Sequence, residues 1–415
     1  MKRRQFFHAA ALTAGTLALN TEQEQQFHPA IAGLQSMQDQ EPAPISEEER
    51  RERRAKAQRL MASAAVHALL VEPGPSLNYF AGIGWGRSER LFGMLLPQRG
   101  EPIFVCPAFE KERAESQIAG RFRVRVWQED ESPYALVATT LRDWGYATGT
   151  LAVESSARFF VADALAQIRP ALKVISGDPI TQWCRGVKTS HEVALMRHAN
   201  RVTVEAYRAT LETLREGMTQ SELGGNLRQA FQQLGYSGGA LVLFGESSAY
   251  PHGLEAPRAL ESGQVVLIDG GTSVQGYASD ISRTVVFGTP GAEAERVYNI
   301  VKEAQTRALR AARPGVKAGA VDAVARDYIT AQGFGPGYKY FTHRLGHGIG
   351  LEGHEWPYLV RGSEVVLRPG MSFSDEPGIY QYGKFGVRLE DIMVITEAGA
   401  ELLTPQSRSL APADI

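Results

Sequence analysis

The stretch HRLGHGIGLEGHE, residues 343–355, places three of the chain's nine histidines within twelve positions and among four glycines. Imidazoles beside carboxylates are the materials of metal binding and acid–base chemistry. The carboxylates are present too. Asp269 and Asp280 lie eleven positions apart in VVLIDGGTSVQGYASDISRTVVFG (265–288), Asp375 and Glu376 close the apolar part of MSFSDEPGIY (371–380), and Glu390 and Asp391 interrupt GVRLEDIMVIT (386–396). Aspartate suits strands poorly, and acids set among Val, Leu and Ile are costly to bury unless they bind a cation or accept several hydrogen bonds. Arg283 and Arg388 are natural ion-pair partners for any one of these acids. For all of them together, with the histidines, a metal fits better. His343 and His347 have the spacing that presents two zinc ligands on one helix face, but LGHGIG is a poor helix and no HExxH occurs. A strand or loop is expected there, so the two histidines need not share an ion. An oxygen-rich site with one imidazole suits Mn²⁺, with Co²⁺ or Zn²⁺ as alternatives.

The elements that must position these residues are legible in outline. Residues 265–288 read as two antiparallel strands around a glycine turn. Two stretches 98 residues apart resemble one another: EGMTQSELGGNLRQAFQQLGY (216–236) and PGVKAGAVDAVARDYITAQGF (314–334). Each begins at a Gly, runs through a helix and meets a second Gly 18 residues after the first. Each follows a longer helix, near 190–215 and 293–312, and precedes Gly-punctuated apolar segments. Two helix, helix, strand units therefore make one domain, with a site between the copies. Thr189 and Glu192 have capping-box spacing at the start of the first long helix. Upstream, the short apolar runs at 66–72, 90–98, 101–108 and 150–155 read as strands of a separate α/β domain.

The ends and the composition limit what else the chain can be. A formal charge of −2 gives no pull towards nucleic acid. Cys106 and Cys184 are the two cysteines, so disulfide architecture is excluded although a single bond is not. Residues 1–20, with Arg3, Arg4, Phe6, Phe7 and a short apolar run, read as a twin-arginine export signal, giving a periplasmic or extracellular location. No clean A-x-A site follows Leu19, so the leader could persist as an anchor. Residues 21–50 are expected to be a solvated tether, and Glu47–Ala62 a solvated helix face. The α/β domain is assigned to 51–185 and the repeat-bearing domain to 186–405.

On these motifs the chain resembles the pita-bread metallopeptidases, the family of methionine aminopeptidases, Xaa-Pro aminopeptidases and prolidases. Residues 185–396 carry DGGTSVQGYASDISRT, HRLGHGIGLEGHE, SDEPGIY and GVRLED in family order, and residues 55–185 resemble the N-terminal domain of the proline-directed members and creatinases. The resemblance implies an α+β pita-bread catalytic domain with an internal pseudo-twofold repeat behind a creatinase/prolidase-type α/β domain. It implies two divalent ions held by Asp269, Asp280, His347, Glu376 and Glu390, with Asp280 and Glu390 bridging. By the same resemblance His354 stabilises the tetrahedral intermediate, His252 binds substrate, His343 is an outer or substrate contact, and Arg388 orients bridging carboxylates or meets a substrate carboxylate. Hydroxide held between the ions attacks the scissile carbonyl, with Glu376 as proton carrier.

The substrates so implied are proline-containing peptides, with release of the N-terminal residue, an Xaa-Pro aminopeptidase, preferred and the Xaa-Pro dipeptidase (prolidase) as alternative. A non-catalytic binding module is a remote third reading, because the ligand set is complete. Ser282 departs mildly from the family's usual Thr. Relatives of this branch commonly form dimers, which implies a homodimer in which NYFAGIGWGRSERLFG (78–93), with Trp85, walls the other subunit's substrate site. The alternative is an aromatic loop packed in its own domain.

Overall fold

The computed structural model describes residues 27–168, 172–254 and 258–415. The expected export signal at 1–20 lies outside the described residues. The first domain is built on a six-stranded sheet: β1 (Ala68–Val71), β2 (Gly93–Pro97), β3 (Ile103–Pro107), β4 (Arg123–Trp127), β5 (Thr150–Val153) and β6 (Lys173–Ser176), in the order β4-β3-β2-β1-β5-β6. Four of these strands coincide with the apolar runs. β4 and β6 are only partly buried and carry Arg123, Arg125 and Lys173, so no apolar run marks them. Both cysteines are buried and unbonded, Cys106 on β3 and Cys184 in the helix Asp178–Arg185.

The second domain shows the repeat as structure. The helices Gln220–Gln233 and Ala318–Ala331 keep the 98-residue offset at both ends. Gly217, Gly235, Gly315 and Gly333 all have φ between +77° and +91°, the left-handed conformation that starts and stops each unit and that favours glycine. The longer helices Ser190–Leu211 and Ala292–Ala311 precede them, and the Thr189–Glu192 capping box is formed. In the first copy, Tyr207, Leu227 and Phe231 lie in one core with Phe244, Val266, Ile268 and Ile281 of β7 (Gly238–Phe244), β8 (Val265–Val274) and β10 (Ile281–Val286), with β9 (Tyr277–Ala278) beside β8. In the second, Val301, Val321 and Ile329 share a core with Leu359, Phe373 and Met393. The sheet there runs β12-β11-β13-β16-β17 through β11 (Gly346–Gly348), β12 (Glu355–Leu359), β13 (Ser372–Asp375), β16 (Asp391–Thr396) and β17 (Gly399–Leu402). A hairpin of β14 (Gly378–Gln381) and β15 (Phe385–Arg388) completes it.

Three expectations need correction. Residues 27–46 are not a solvated tether: Ile31, Met37 and Ile45 are buried, the Met37 amide donates to Leu234, and Gln38 reaches the Gly235 carbonyl, so this segment straps the second domain. Nor is Glu47–Ser63 a solvated face. Arg53 and Arg54 are buried, and Arg53 donates to the Tyr277 hydroxyl and pairs with Glu192 across the domains. Helical charge patterning conceals this, because an arginine's reach lets its head bury at a distance from its backbone. The chain also remains packed past residue 405, with Leu410 and Ile415 buried.

Candidate metal centre

Antiparallel pairing brings the acids together. Asp269 on β8 faces Ser282 on β10, and Asp280 sits one residue before β10 begins. On the other sheet Asp375 faces Asp391 across β13 and β16. Glu376, one residue past β13, and Glu390, one before β16, therefore form the next pair outwards, at the strand ends where the ladder opens. The stretch GVRLEDIMVIT forms two strands, β15 and β16, and Glu390 stands at the break. His347 lies on β11 at a bulge, the register shifting between His347 and Gly348.

These side chains converge on a cavity of about 200 Å³ lined by Asp269, Asp280, His347, Glu376 and Glu390, together with His252, His343, His354, Arg344 and Arg388. Donor atoms of Asp269, Asp280 and Glu390 lie within 4.8 Å of one another, as do those of His347, Glu376 and Glu390, and of Asp280, His347 and His354. Two three-residue groups that share Glu390 are the layout of a two-ion site. Every site residue expected from the sequence lines this cavity except Trp85.

The electrostatics show that the donor set fits cations. Burial, with repulsion from Asp269, pushes the Asp280 carboxyl up to about 7. Burial, with repulsion from Asp280 and Asp269, pushes Glu376 up to about 8, and the same causes raise Glu390 well above the usual range. Burial works against Asp269 too, yet Arg388 and Ser282 hold its carboxylate below the ordinary value. Burial lowers His347 to about 3, so its ring is neutral. Its Nδ1 lies 3.1 Å from the Gly348 carbonyl, which can only accept, so the proton is on Nδ1. The lone pair on Nε2 then faces Glu376, Asp280 and Glu390 at 3.4, 3.7 and 3.9 Å. A crowd of mutually repelling carboxylates completed by a neutral imidazole is what divalent ions neutralise.

The surrounding residues fix this set. Arg388 donates to Asp269 Oδ2 at 2.5 Å, to the Tyr380 hydroxyl at 2.8 Å, to the Pro251 carbonyl at 3.2 Å and to Ser282 Oγ at 3.0 Å. Ser282 Oγ in turn lies 2.7 Å from both Asp269 Oδ1 and Glu390 Oε2. The residue that departs from the family pattern thus links the two copies. His343 is not aimed at a metal: its Nδ1 donates to the Arg344 carbonyl and its Nε2 accepts from Tyr380. Burial lowers it to about 3, which keeps it neutral for that role. The His354 ring lies on the His347 ring, centroids 3.7 Å apart and 19° from parallel, and His252 is exposed at the rim. Trp85 stacks on Phe92 in its own domain (4.0 Å, 8°) with the Arg113 guanidinium over it, the packing alternative. Sequence reading missed Tyr380, Arg344 and Ser374, whose hydroxyl accepts from the His347 amide at 3.0 Å and donates to Glu376 Oε1 at 3.2 Å. The first stands in the quoted SDEPGIY motif, but a tyrosine in an apolar run gives no sign that its hydroxyl joins an arginine to a histidine.

Comparison with known proteins agrees with this geometry. The profile of Metallopeptidase family M24 matches residues 194–397, and that of the Creatinase/Prolidase N-terminal domain matches 53–187. The "Probable dipeptidase PepE" of Mycobacterium tuberculosis is 37% identical over 82% of this chain and 90% of its own length. Among solved structures, dipeptidase PepE from Mycobacterium ulcerans superposes with a TM-score of 0.83 at 33% identity, over 89% of this chain and 99% of that one. The prolidase from Thermococcus sibiricus gives 0.79 at 30% (89% and 100% covered), and the X-Pro aminopeptidase from Thermotoga maritima 0.72 at 30% (85% and 99% covered). With the five donors converging and both domain profiles in place, the chain belongs to metallopeptidase family M24 and is a metallopeptidase with a creatinase/prolidase-type N-terminal domain.

Proposed function

We propose that the chain is an Xaa-Pro dipeptidase that holds two divalent ions on Asp269, Asp280, His347, Glu376 and Glu390. This corrects the aminopeptidase preference drawn from the sequence. The observation that carries it is Arg344, which lines the cavity and forms no ion pair among the described residues. Arg388, the other cation there, is committed to Asp269. A dipeptide brings its carboxylate within a residue of the scissile bond, and the Arg344 guanidinium, 4.4 Å over the Tyr358 ring and without a carboxylate partner among the described residues, is the cation left to bind it. A longer peptide has a neutral amide in that place. The names of the mycobacterial and archaeal relatives support the same reading.

When bound, the ions supply Lewis acidity and a water of lowered pKa. The chain supplies the rest. Asp280 and Glu390, one from each repeat, would hold the ions between the copies, Arg388 and Ser282 keep the carboxylates oriented, and Glu376 takes the proton of the attacking water and returns it to the leaving nitrogen. His354, whose pKa is lowered by partial desolvation and by the nearby Arg344, is neutral at pH 7 and donates to the oxygen that gains charge. Proline suits such a site because an Xaa-Pro bond lacks the N–H that strand-like substrate binding needs.

The same proposal takes Mn²⁺ as the ion, on the oxygen-rich donor set, the twin-arginine route for export, and a homodimer in which the 78–93 loop approaches the partner's site. No helix among the described residues is long and apolar enough to cross a membrane. The test of substrate class is hydrolysis of Ala-Pro beside Ala-Pro-Ala and a longer Xaa-Pro peptide with Mn²⁺ present. The dipeptide should show the highest kcat/KM, and Arg344→Ala should lower it mainly through KM. Equal or faster cleavage of the longer peptides restores the aminopeptidase reading.

A further inference from the structure

His354 and Glu355 are adjacent in sequence and opposite in surroundings. His354 is exposed, resting on His347 by one ring face, and it also borders a second cavity, of about 210 Å³, between the two domains. Gly353 beside it has open space where a side chain would stand. The stack on His347 therefore supports one face of the imidazole, and the Gly353 side gives it no support. Glu355, by contrast, is buried. Its Oε1 accepts from Lys188 Nζ at 2.5 Å and its Oε2 from Arg185 Nη2. Arg185 ends the helix Asp178–Arg185 of the first domain and also donates to Glu352 Oε2 at 2.5 Å and to Ser76 Oγ at 3.2 Å. Lys188 lies just before the Ser190–Leu211 helix of the second domain, its side chain 1% exposed. One guanidinium from the other domain thus grips the loop on both sides of His354, at Glu352 and Glu355. A Cβ at Gly350 would come within 2.7 Å of Glu355 Oε1 and 2.9 Å of Lys188 Cε, so the loop is closed tightly around this clamp.

We propose that Arg185, Lys188 and Glu355 are positioning residues for His354, through which the N-terminal domain sets the imidazole over the metal centre. The inference rests on the reading of His354 as a donor to the transition state. An arginine suits this role because its rigid guanidinium lets Nη2 donate to both Glu352 and Glu355 while Nη1 donates to Ser76, a set of directions that a lysine's single nitrogen does not hold at once. The test is a double-mutant cycle with kcat, KM and metal content measured throughout. Arg185→Met, which keeps the apolar stem and leaves Glu355 its lysine, should lower kcat about tenfold with KM and metal content unchanged. In a His354→Ala background it should cost nothing further. Arg185→Lys, which keeps the charge and is the safer variant for folding, should lose about threefold and show the same non-additivity. A loss of equal factor in both backgrounds, or no loss in either, overturns the proposal alone. A His354→Ala enzyme with unchanged kcat overturns the reading of His354, and this proposal with it.

Discussion

Two groups of buried acids share the strands β13 and β16, one residue apart, and their partners differ. Asp391 accepts from Arg283 at 2.7 Å, from Gln305 at 3.0 Å and from Thr404. Its neighbour across the ladder, Asp375, finds no hydrogen-bond partner for either carboxyl oxygen among the described residues. Burial, with repulsion from Asp391 and Glu376, raises its pKa well above the usual range and so favours its neutral form. That group balances its own charge. One step along each strand, Glu376 and Glu390 join Asp280, and none of these three has a Lys or Arg ion-pair partner among the described residues, only neutral imidazoles. The difference teaches that a buried acid is read by counting its cations. Arg283 answers the charge of Asp391, whereas Arg388, paired with Asp269, is the one arginine in ion-pair contact with the four acids Asp269, Asp280, Glu376 and Glu390 among the described residues, and that deficit is what bound cations fill.

The comparison can be broken most forcefully at Asp280 and Glu390, which are proposed to hold the ions from opposite repeats. Asp280→Ala or Glu390→Ala should abolish hydrolysis, by at least about 10³-fold, together with metal occupancy, because two divalent ions would face each other with one fewer negative charge. Metal analysis beside kcat checks this. His354→Ala should retain its metals and lose about 10²–10³ in kcat with little change in KM; a change confined to KM assigns it to ground-state binding. Asp391→Asn tests the self-balanced group. It strands Arg283 in the core and should cost about 3–5 kcal/mol of stability, read as a lower Tm, with metal content unchanged in the folded protein.

Stability against pH sharpens the contrast further. In metal-free protein Asp280 and Glu376, raised to about 7 and 8, keep protons that unfolded carboxyls have lost above their ordinary values. The folded state then binds more protons, and stability falls as pH rises through those values. His343 and His347, lowered to about 3, act in the opposite sense, but only up to the ordinary histidine value of about 6.5. From about pH 6.5 to 8 the chelated protein should therefore lose several degrees in Tm, and saturating Mn²⁺ should remove the trend. A metal-free Tm that rises across this window contradicts the assignment. The smallest effect is expected from Trp85→Ala, a few-fold loss on Xaa-Pro dipeptides with unchanged metal content if the protein is a dimer; an unaffected variant leaves Trp85 with its packing role alone.

Much of this was legible in the sequence, and the omissions have physical causes. The repeat could be read because the glycines that start and stop each unit need left-handed backbone, and that need fixes their spacing. The converging acids could be read because Asp and Glu are out of place among Val and Ile. Two things were not legible. Asp375 and Asp391 have the same apolar flanks as Glu376 and Glu390, and only the folded structure shows that Asp391 alone of the four pairs with Arg283. The strap at 27–46 is polar in composition, and its anchors, Ile31, Met37 and Ile45, are too sparse to form a periodic pattern. Its contacts are with residues roughly two hundred positions away, such as Gln38 with Gly235, which no local window sees.

The central claim, that the cluster of Asp269, Asp280, Glu376 and Glu390 rather than the Arg283-paired Asp391 binds metal, is tested most directly by equilibrium dialysis of chelated protein against Mn²⁺, followed by elemental analysis. Wild-type protein and folded Asp391→Asn should each take up about two ions per chain, and Glu390→Gln, altered one residue away, should take up fewer than one. A wild-type chain that binds none, or a Glu390→Gln variant that keeps both, would contradict the account.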